Sequence, residues 1–497
     1  MTKSAALLLA QATAATRRMD SNKTILSLPL TPAQSGCALR LTQAGGLTTE
    51  GAAAKAVLNA ESIISRVFHK NSEASSMLGH AASLQTLERV AGPWFSQEAQ
   101  SVYSETAAGY WLADAFIRGV TPSEAADLTR FLAGQTPPRR QGKVTTIRRY
   151  PTGGISEKQA LLLPPLIRSL ANEFRWCSPF LVAAKLAHTG GTRDKLAVIP
   201  GFKIASATEL SRWNGIDCPV RYFSVGADLC PRDAMMYRIR GETGTVADTG
   251  LMSSSIMSKQ IALPADVVIL DILHGPTAFL QNRASAEEFG KMCSVIGNLN
   301  STKIVTKLRE SASILGRSVG SSTEIVEAAE LLRGDARDES GQREISTSLG
   351  FIRIFAEELG LDPETALNRA EKAINSGEAF DAMINLFVDH GVTRNYTNSF
   401  SKNPRKTVLG NLKRKTVFAE KSGRLSWDAL SVADIANNQI NSCKQTDHSK
   451  IIVNEGGIEL LVRGGSSIRR GEPLAIIYGE NSETAAKSLS SAALITA

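Results

Sequence analysis

Redox and metal chemistry have little to work with in this chain. Its six cysteines (Cys37, Cys177, Cys218, Cys230, Cys293 and Cys443) are scattered, with no CxxC pair. They give no sign of a zinc site or a disulfide framework and fit a reduced, cytoplasmic setting. The six histidines (His69, His80, His188, His274, His390 and His448) include no pair at ligand spacing, which argues against a metal enzyme. No run of Lys and Arg is interleaved with aromatics. The net charge of +8 therefore suits anionic metabolites better than nucleic acid. No stretch approaches the roughly 18 apolar residues of a membrane span. No GxGxxG follows a strand with an acid about 20 residues on, which disfavours a Rossmann dehydrogenase.

At 497 residues, 43% hydrophobic and 21% charged, the chain has the length for about two to four globular domains. Thr2–Met19 has no acid and carries Lys3, Arg17 and Arg18 around Ala5–Ala10. With a short apolar core and no clear cleavage site, it reads as a surface helix or a disordered start rather than a presequence. Two stretches further on share an unusual chemistry. One is Arg149-Tyr150-Pro151-Thr152-Gly153-Gly154-Ile155-Ser156-Glu157-Lys158; the other is His188-Thr189-Gly190-Gly191-Thr192-Arg193-Asp194-Lys195. Each joins a Gly-Gly pair and flanking hydroxyls to an acid–Lys pair that opens a helix. Glycines let backbone N–H groups approach an oxyanion, and a helix N-terminus adds partial positive charge. A single Gly-Gly pair is more often a plain turn. Two with the same trailing residues predict loops leaving neighbouring strands of one sheet, as a cradle for phosphate or a phosphorylated sugar.

The surrounding pattern supports a βαβ arrangement. Residues 20–50 read as short strands and turns, and Ala52–Ala133 as helical, with a helix start at Thr121-Pro122. Gln135–Gly142 breaks the pattern as a hinge or linker. Lys143–Ile147 and Pro179–Ala184 read as the strands that deliver the two Gly-Gly loops, with a buried helix over Gln159–Leu170. Val220–Ser224, Asp266–Asp271 and Lys303–Thr306 read as further strands. Ala234–Arg240, Met252–Gln260 and Glu324–Leu332 read as helices. Strand–loop–helix repeats imply an α/β fold with an at least partly parallel sheet. Asn395–Lys415 is basic and polar and reads as a loop or linker. Ile451–Val462 and Pro473–Tyr478 read as a small β-rich module with a terminal helix from Ser482.

Four ordered segments give the chain a family resemblance from about Glu105 onward. They are His188–Pro200, Tyr237–Lys259, Asp271–Ala278 and Leu315–Glu324. Together they resemble the thymidine/pyrimidine-nucleoside phosphorylase family, which includes the AMP phosphorylase branch. The resemblance implies a pentosyltransferase that splits a nucleoside with inorganic phosphate, giving free base and a sugar-1-phosphate. Inorganic phosphate is then a co-substrate and no cofactor is needed. It implies base recognition by Arg240, Ser255 and Lys259, and apolar walls at Leu186, Met252, Ile256 and Phe279. Ser255 and Lys259 are i, i+4 on one helix face, so they can address one ring edge together; Arg240 adds a fixed fork of donors. Each alone would ordinarily be a solvated surface group.

On the phosphate side, the same resemblance assigns binding to Arg149, Thr152, Gly153, Gly154, Ser156 and Thr192. Catalysis falls to Arg149, Tyr150, Arg240 and Lys259. Several positions depart from the family's first loop, K-H-S-x-G-G-x-G-D-K-x-S. Arg149 replaces its Lys, Tyr150 its His, Pro151 and Ala160 two hydroxyl residues; upstream of the second loop, Val182 and Ala184 replace a Ser and an Arg. Tyrosine, with a reference pKa of about 10, exchanges its proton poorly at neutral pH. Each lost hydrogen bond to a charged group is worth roughly 1.5–3 kcal/mol. Three readings stay open: a phosphorylase with a remodelled phosphate pocket, a non-catalytic nucleoside-binding relative, and an enzyme whose basic loop grips a phosphate already on the sugar.

The architecture implied is a helical domain, a large α/β domain with a mixed, partly parallel sheet, and a small C-terminal α/β module, assembled as a homodimer. Its expected boundaries are an N-terminal extension over 1–100, a helical domain over 101–142 and 231–262, an α/β domain over 143–230 and 263–400, and the module over 401–497.

Overall fold

The computed structural model describes residues 119–134, 144–185, 190–206, 215–225, 229–243, 248–263, 265–335, 338–440 and 455–496, together with Leu112, Ala115, Glu209, Trp213 and Thr245. The expected N-terminal extension, the hinge at Gln135–Gly142, Leu186 and His188 lie outside the described residues. In chain order the elements begin with α1 (Pro122–Ala133), β1 (Thr145–Pro151), α2 (Gln159–Phe174), β2 (Trp176–Val182), α3 (Thr192–Ala197) and β3 (Val220–Ser224). Next come α4 (Pro231–Thr243), α5 (Thr249–Ala262), β4 (Val267–His274), α6 (Arg283–Leu299), β5 (Ile304–Glu310), β6 (Ser318–Val319) and α7 (Ser321–Leu332). The helices α8 (Glu339–Glu358), α9 (Pro363–Asn375), α10 (Glu378–Asp389), α11 (Arg394–Lys402) and α12 (Pro404–Leu409) follow. Then come β7 (Arg414–Phe418), β8 (Gly423–Trp427), α13 (Ala429–Asp434), β9 (Gly457–Leu460), β10 (Ser467–Ile468), β11 (Pro473–Tyr478), α14 (Ser482–Ala492) and β12 (Ala493–Thr496).

The chain divides into two compact units, one formed by residues 1–140, 225–265 and 284–306, the other by 141–224, 266–283 and 307–497. The first is helical where it is described, apart from the start of β5. Helix α1 starts where the sequence says it should: Thr121 and Glu124 form a reciprocal capping box and Pro122 occupies the first turn. Asp248 caps α5 by accepting from Leu251 N at 2.9 Å. Helices α1 and α5 come close because Gly250 has no side chain; a Cβ there would lie 2.5 Å from Val120 Cβ. Ser254 then donates to Ala125 O at 3.0 Å.

The second unit holds a five-stranded sheet in the order β3-β2-β1-β4-β5. The pairs β1–β2, β1–β4 and β2–β3 are parallel. β4 (VVILDILH) is buried along nearly its whole length, as a central strand covered on both faces must be. The two Gly-Gly loops therefore leave neighbouring parallel strands, as their shared chemistry suggested. Strand β2 begins earlier than expected, because Trp176 and Cys177 pair with Thr145 and Thr146 upstream of Pro179. Helix α2 carries Pro164 and Pro165 in its interior. Pro164 has no N–H for the carbonyl of Ala160; Tyr222 Oη donates to that carbonyl at 2.8 Å instead, which lets the helix run through.

The C-terminal part carries two antiparallel sheets, β6-β9-β11-β7 and β10-β8-β12. The core of the first, Val319, Val417, Ile458 and Ile477 with Leu489 of α14, also takes in Ile155, which anchors the first Gly-Gly loop. Asn395–Lys415 corrects the sequence reading: most of it is two helices, α11 and α12, rather than a linker, and its end enters β7. Thr393 and Asn403 cap them, Pro404 opens the second, and Thr397, Phe400 and Leu409 are buried. Polar composition hid three well-spaced inward residues. Strand β12 was not foreseen, because it follows α14 directly and pairs with β8, far back in the chain. Among the described residues, no helix is long and apolar enough to cross a membrane.

Candidate active site

The first Gly-Gly loop is built on a buried ion network. Arg149, 2% exposed, points off β1 toward β4, where Asp271 ends the registered pairing. Its Nε donates to Asp271 Oδ2 at 3.1 Å, Nη2 contacts the same carboxylate, and Nη2 also donates to Glu157 Oε1 at 2.8 Å. Arg309 of β5 closes the set, donating to the two Asp271 oxygens at 2.7 and 2.6 Å. Both guanidiniums lie over the Phe351 ring, at 5.0 and 5.7 Å from its centroid. Burial alone would raise the Asp271 and Glu157 carboxyls, but Arg309 and Arg149 hold both below the ordinary carboxylate range. Glu157 also accepts from Gln159 N at 2.9 Å, tying the network to the start of α2.

Around this set the loop is closed. Gly153 turns at a φ of 99°, which a side chain would resist, and Ser156 holds the left-handed conformation at 60°. Ser156 is fixed there because its hydroxyl donates to Ser318 O and accepts from Lys158 Nζ at 2.9 Å. Lys158 Nζ also donates to Ser156 O (3.0 Å) and Leu315 O (2.6 Å), with Glu327 at 3.4 Å. Burial would lower its pKa, yet Glu327, Glu344 and Glu324 hold the ammonium above its ordinary value. Thr152 accepts from Leu273 N at 2.9 Å, so its own O–H remains to be given. Tyr150 is half-buried at the end of β1 and has partners of its own.

In the second loop, Gly191 caps α3 so close to the end of β2 that a Cβ would lie 2.3 Å from the backbone of Ala184 and Lys185. Lys195 is buried, donating to Glu157 O at 2.6 Å and pairing with Glu324 at 2.6 Å. Thr192 opens the helix half-buried, and its hydroxyl makes no hydrogen bond among the described residues.

The base-recognition residues come together on α4 and α5. Lys259 Nζ donates to Ser255 O at 2.7 Å and to Ser255 Oγ at 2.9 Å, and pairs with Asp233 at 2.5 Å. Ser255 Oγ is an acceptor there and keeps its O–H. Arg240 is held by Thr245 O (3.3 Å) and Leu251 O (3.1 Å), and burial lowers its pKa from the ordinary guanidinium value. The Tyr237 ring lies 6.0 Å from Arg240 and 5.9 Å from Lys259. Along α5 from Leu251 to Ala262, only Met252 and Ile256 are not buried, and both share a helical stripe with Lys259. Phe279 is half-buried after β4, in the second unit.

Sequence reasoning did not pick out the roles of Asp233, Asp271 and Arg309, nor the ring contacts of Tyr237. Asp271 had a signal, as a charge closing an otherwise apolar strand. Asp233 had a weaker one, an acid on the same helix as Arg240.

The first unit thus brings Arg240, Ser255 and Lys259 together on α4 and α5, and the second carries paired glycine loops on adjacent parallel strands. The chain is 27% identical over 374 residues to the pyrimidine-nucleoside phosphorylase of Geobacillus stearothermophilus, covering 74% of this chain and 83% of that one. It is 27% identical over 366 residues to that of Bacillus subtilis (strain 168), covering 73% and 82%. With the thymidine phosphorylase of Burkholderia cenocepacia it shares 26% over 346 residues, covering 68% and 75%. Over most of its length the chain is similar to the thymidine/pyrimidine-nucleoside phosphorylases, as a divergent relative. No protein-family model matches it. Among solved structures, anthranilate phosphoribosyltransferase from Thermus thermophilus aligns at a TM-score of 0.47 and 13% identity, over 64% of this chain and 98% of that one, too distant to bear on activity.

Proposed function

We propose that the protein is a nucleoside phosphorylase-type pentosyltransferase acting on a pyrimidine nucleoside or nucleotide. The observation that carries this reading is the Lys259–Ser255–Asp233 cluster beside Arg240, with Met252 and Ile256 left open on the same stripe. A phosphate oxygen attacks the anomeric carbon as the C–N bond breaks, and the bonding pair passes to the base. Donors at the ring edge then stabilise the charge that develops there. Ser255 has an O–H to give, and the ion pair with Asp233 holds Lys259 in place. Phosphate is held by hydroxyls and loop amides: Thr192, Thr152 and the Gly-Gly backbones. Arg149 acts from beneath, holding β1 and α2 together, and Tyr150 supplies a hydrogen bond rather than a mobile proton. The reaction needs inorganic phosphate and no cofactor, in a cytoplasmic homodimer.

One observation favours a second reading. Arg149 and Ser156 are engaged within the protein, as in a nucleoside-binding relative that has lost its phosphate site. Base release from a panel of nucleosides and nucleoside monophosphates, each with and without phosphate, separates the two. Phosphate-dependent release that disappears in Lys259→Ala supports the enzyme. Pyrimidines that raise the melting temperature with no release support the binding protein.

A further inference from the structure

A cavity of about 340 Å³ in the second unit is lined by none of the residues assigned above to base or phosphate. Its charged and hydroxyl walls include Ser340, Arg343 and Glu344 of α8, Arg309 and Glu310 at the end of β5, and Arg463. Ser340 is 5% exposed, yet its hydroxyl has no hydrogen-bond partner. Buried polar groups are almost always paired, so an unpaired hydroxyl on a residue that lines a cavity points to a missing ligand. Ser340 sits in the first turn of α8, a 20-residue helix whose N-cap, Asp338, takes the N–H of Gly341 at 2.6 Å. The N–H groups of Glu339 and Ser340 have no carbonyl to bond within the helix, and the positive end of its dipole lies there.

Two guanidiniums also converge at this point. Arg343 Nη2 donates to Glu339 Oε1 at 3.0 Å, and Arg463 Nη1 to Glu339 Oε2 at 2.8 Å. The Glu339 side chain is 72% exposed, so such a pairing is weak and easily exchanged. The Glu339 carboxylate stands where an outside anion would stand. Of the two acids in the wall, Glu344 is tied back to Gln159 Nε2 at 2.9 Å.

We propose that this cavity binds the phosphate group of a small phosphate monoester, with Ser340, Arg343 and Arg463 replacing Glu339 as its partners. A tetrahedral oxyanion fills only part of the volume. Ala312, Ile314 and Leu315 in the same wall offer apolar surface to an organic remainder.

The test is isothermal titration of the full chain with glucose 6-phosphate, alongside glucose and inorganic phosphate. Glucose 6-phosphate binds and glucose does not. Ser340→Ala weakens binding by about tenfold, the loss of one charge-assisted hydrogen bond. The same variant melts no lower than wild type, because the hydroxyl it removes bonds nothing. Arg343→Gln with Arg463→Gln abolishes binding; both side chains are well exposed, so the fold tolerates the change. Thr192→Val leaves it intact. The proposal is overturned by absence of glucose 6-phosphate binding, by its survival in the double variant, or by its loss in Thr192→Val. Inorganic phosphate binding as tightly as the ester overturns the assignment to a monoester.

Discussion

The two groups of candidate residues, one in each unit, both rest on buried cations and use them in opposite ways. Under the Gly-Gly loops, Arg149, Arg309, Lys158 and Lys195 face Asp271, Glu157, Glu327 and Glu324, so each positive charge meets an acid. On α4 and α5, Lys259 also meets one acid, Asp233, but where the Ser156 hydroxyl on Lys158 gives its proton to Ser318 O, the Ser255 hydroxyl on Lys259 still has a proton to donate. A charge saturated by acids holds structure together; one with an unfilled neighbour can meet a ligand. Retention of a basic residue at a motif position therefore does not tell which of these it does. What its side chain is paired with does.

The strongest way to break the closed group is Asp271→Asn, which leaves Arg149 and Arg309 buried beside an uncharged partner. It is expected to destabilise the protein by about 3–5 kcal/mol, read from urea denaturation. In the helical unit, Lys259→Ala removes the donor proposed for the departing base. Phosphorolysis is expected to fall by about 10²–10³ in kcat, measured by base release.

A third test concerns pH, in the unit that holds the loops. His390 is buried, accepts from Tyr222 N at Nε2 (3.1 Å), approaches Lys203 O through Nδ1 (2.7 Å) and stacks on Phe202 at 4.5 Å. Accepting at Nε2 makes Nδ1 the protonated nitrogen. Burial lowers its pKa from 6.5 to about 4. The folded state refuses a proton that the unfolded chain takes up, so stability is fully present above pH 6.5 and is lost as pH falls toward 4. The loss expected is about 3 kcal/mol. Urea midpoints between those pH values should be flatter in His390→Gln than in wild type. The smallest effect is a control in the helical unit. Thr121→Ala removes the cap of α1 and should lower stability by about 1 kcal/mol, with nucleoside binding unchanged in calorimetry.

Much of the framework was legible in the sequence because it is local. Thr121-Pro122 marks a helix start by its own chemistry, Val220–Ser224 and Pro473–Tyr478 are strands by their own apolar and aromatic composition, and the paired Gly-Gly loops implied neighbouring strands. Asn395–Lys415 failed because charge between capped turns looks like a linker until Phe400 and Leu409 are seen to be buried. The site divides the same way. Ser255 and Lys259 are one helical turn apart, so their contact could be read from spacing. Arg149 meets Asp271 across 122 residues, and only the register of β1 on β4 brings the two together.

Arg149→Lys probes the central claim most directly, because lysine keeps the charge but cannot bridge Asp271 and Glu157 as a planar fork. The measurement is the KM for phosphate in pyrimidine-nucleoside phosphorolysis, with the melting temperature taken on the same sample. A lowered melting temperature and an unchanged KM for phosphate are the predicted result. An unchanged melting temperature with a shifted KM would contradict the account and make Arg149 a phosphate ligand.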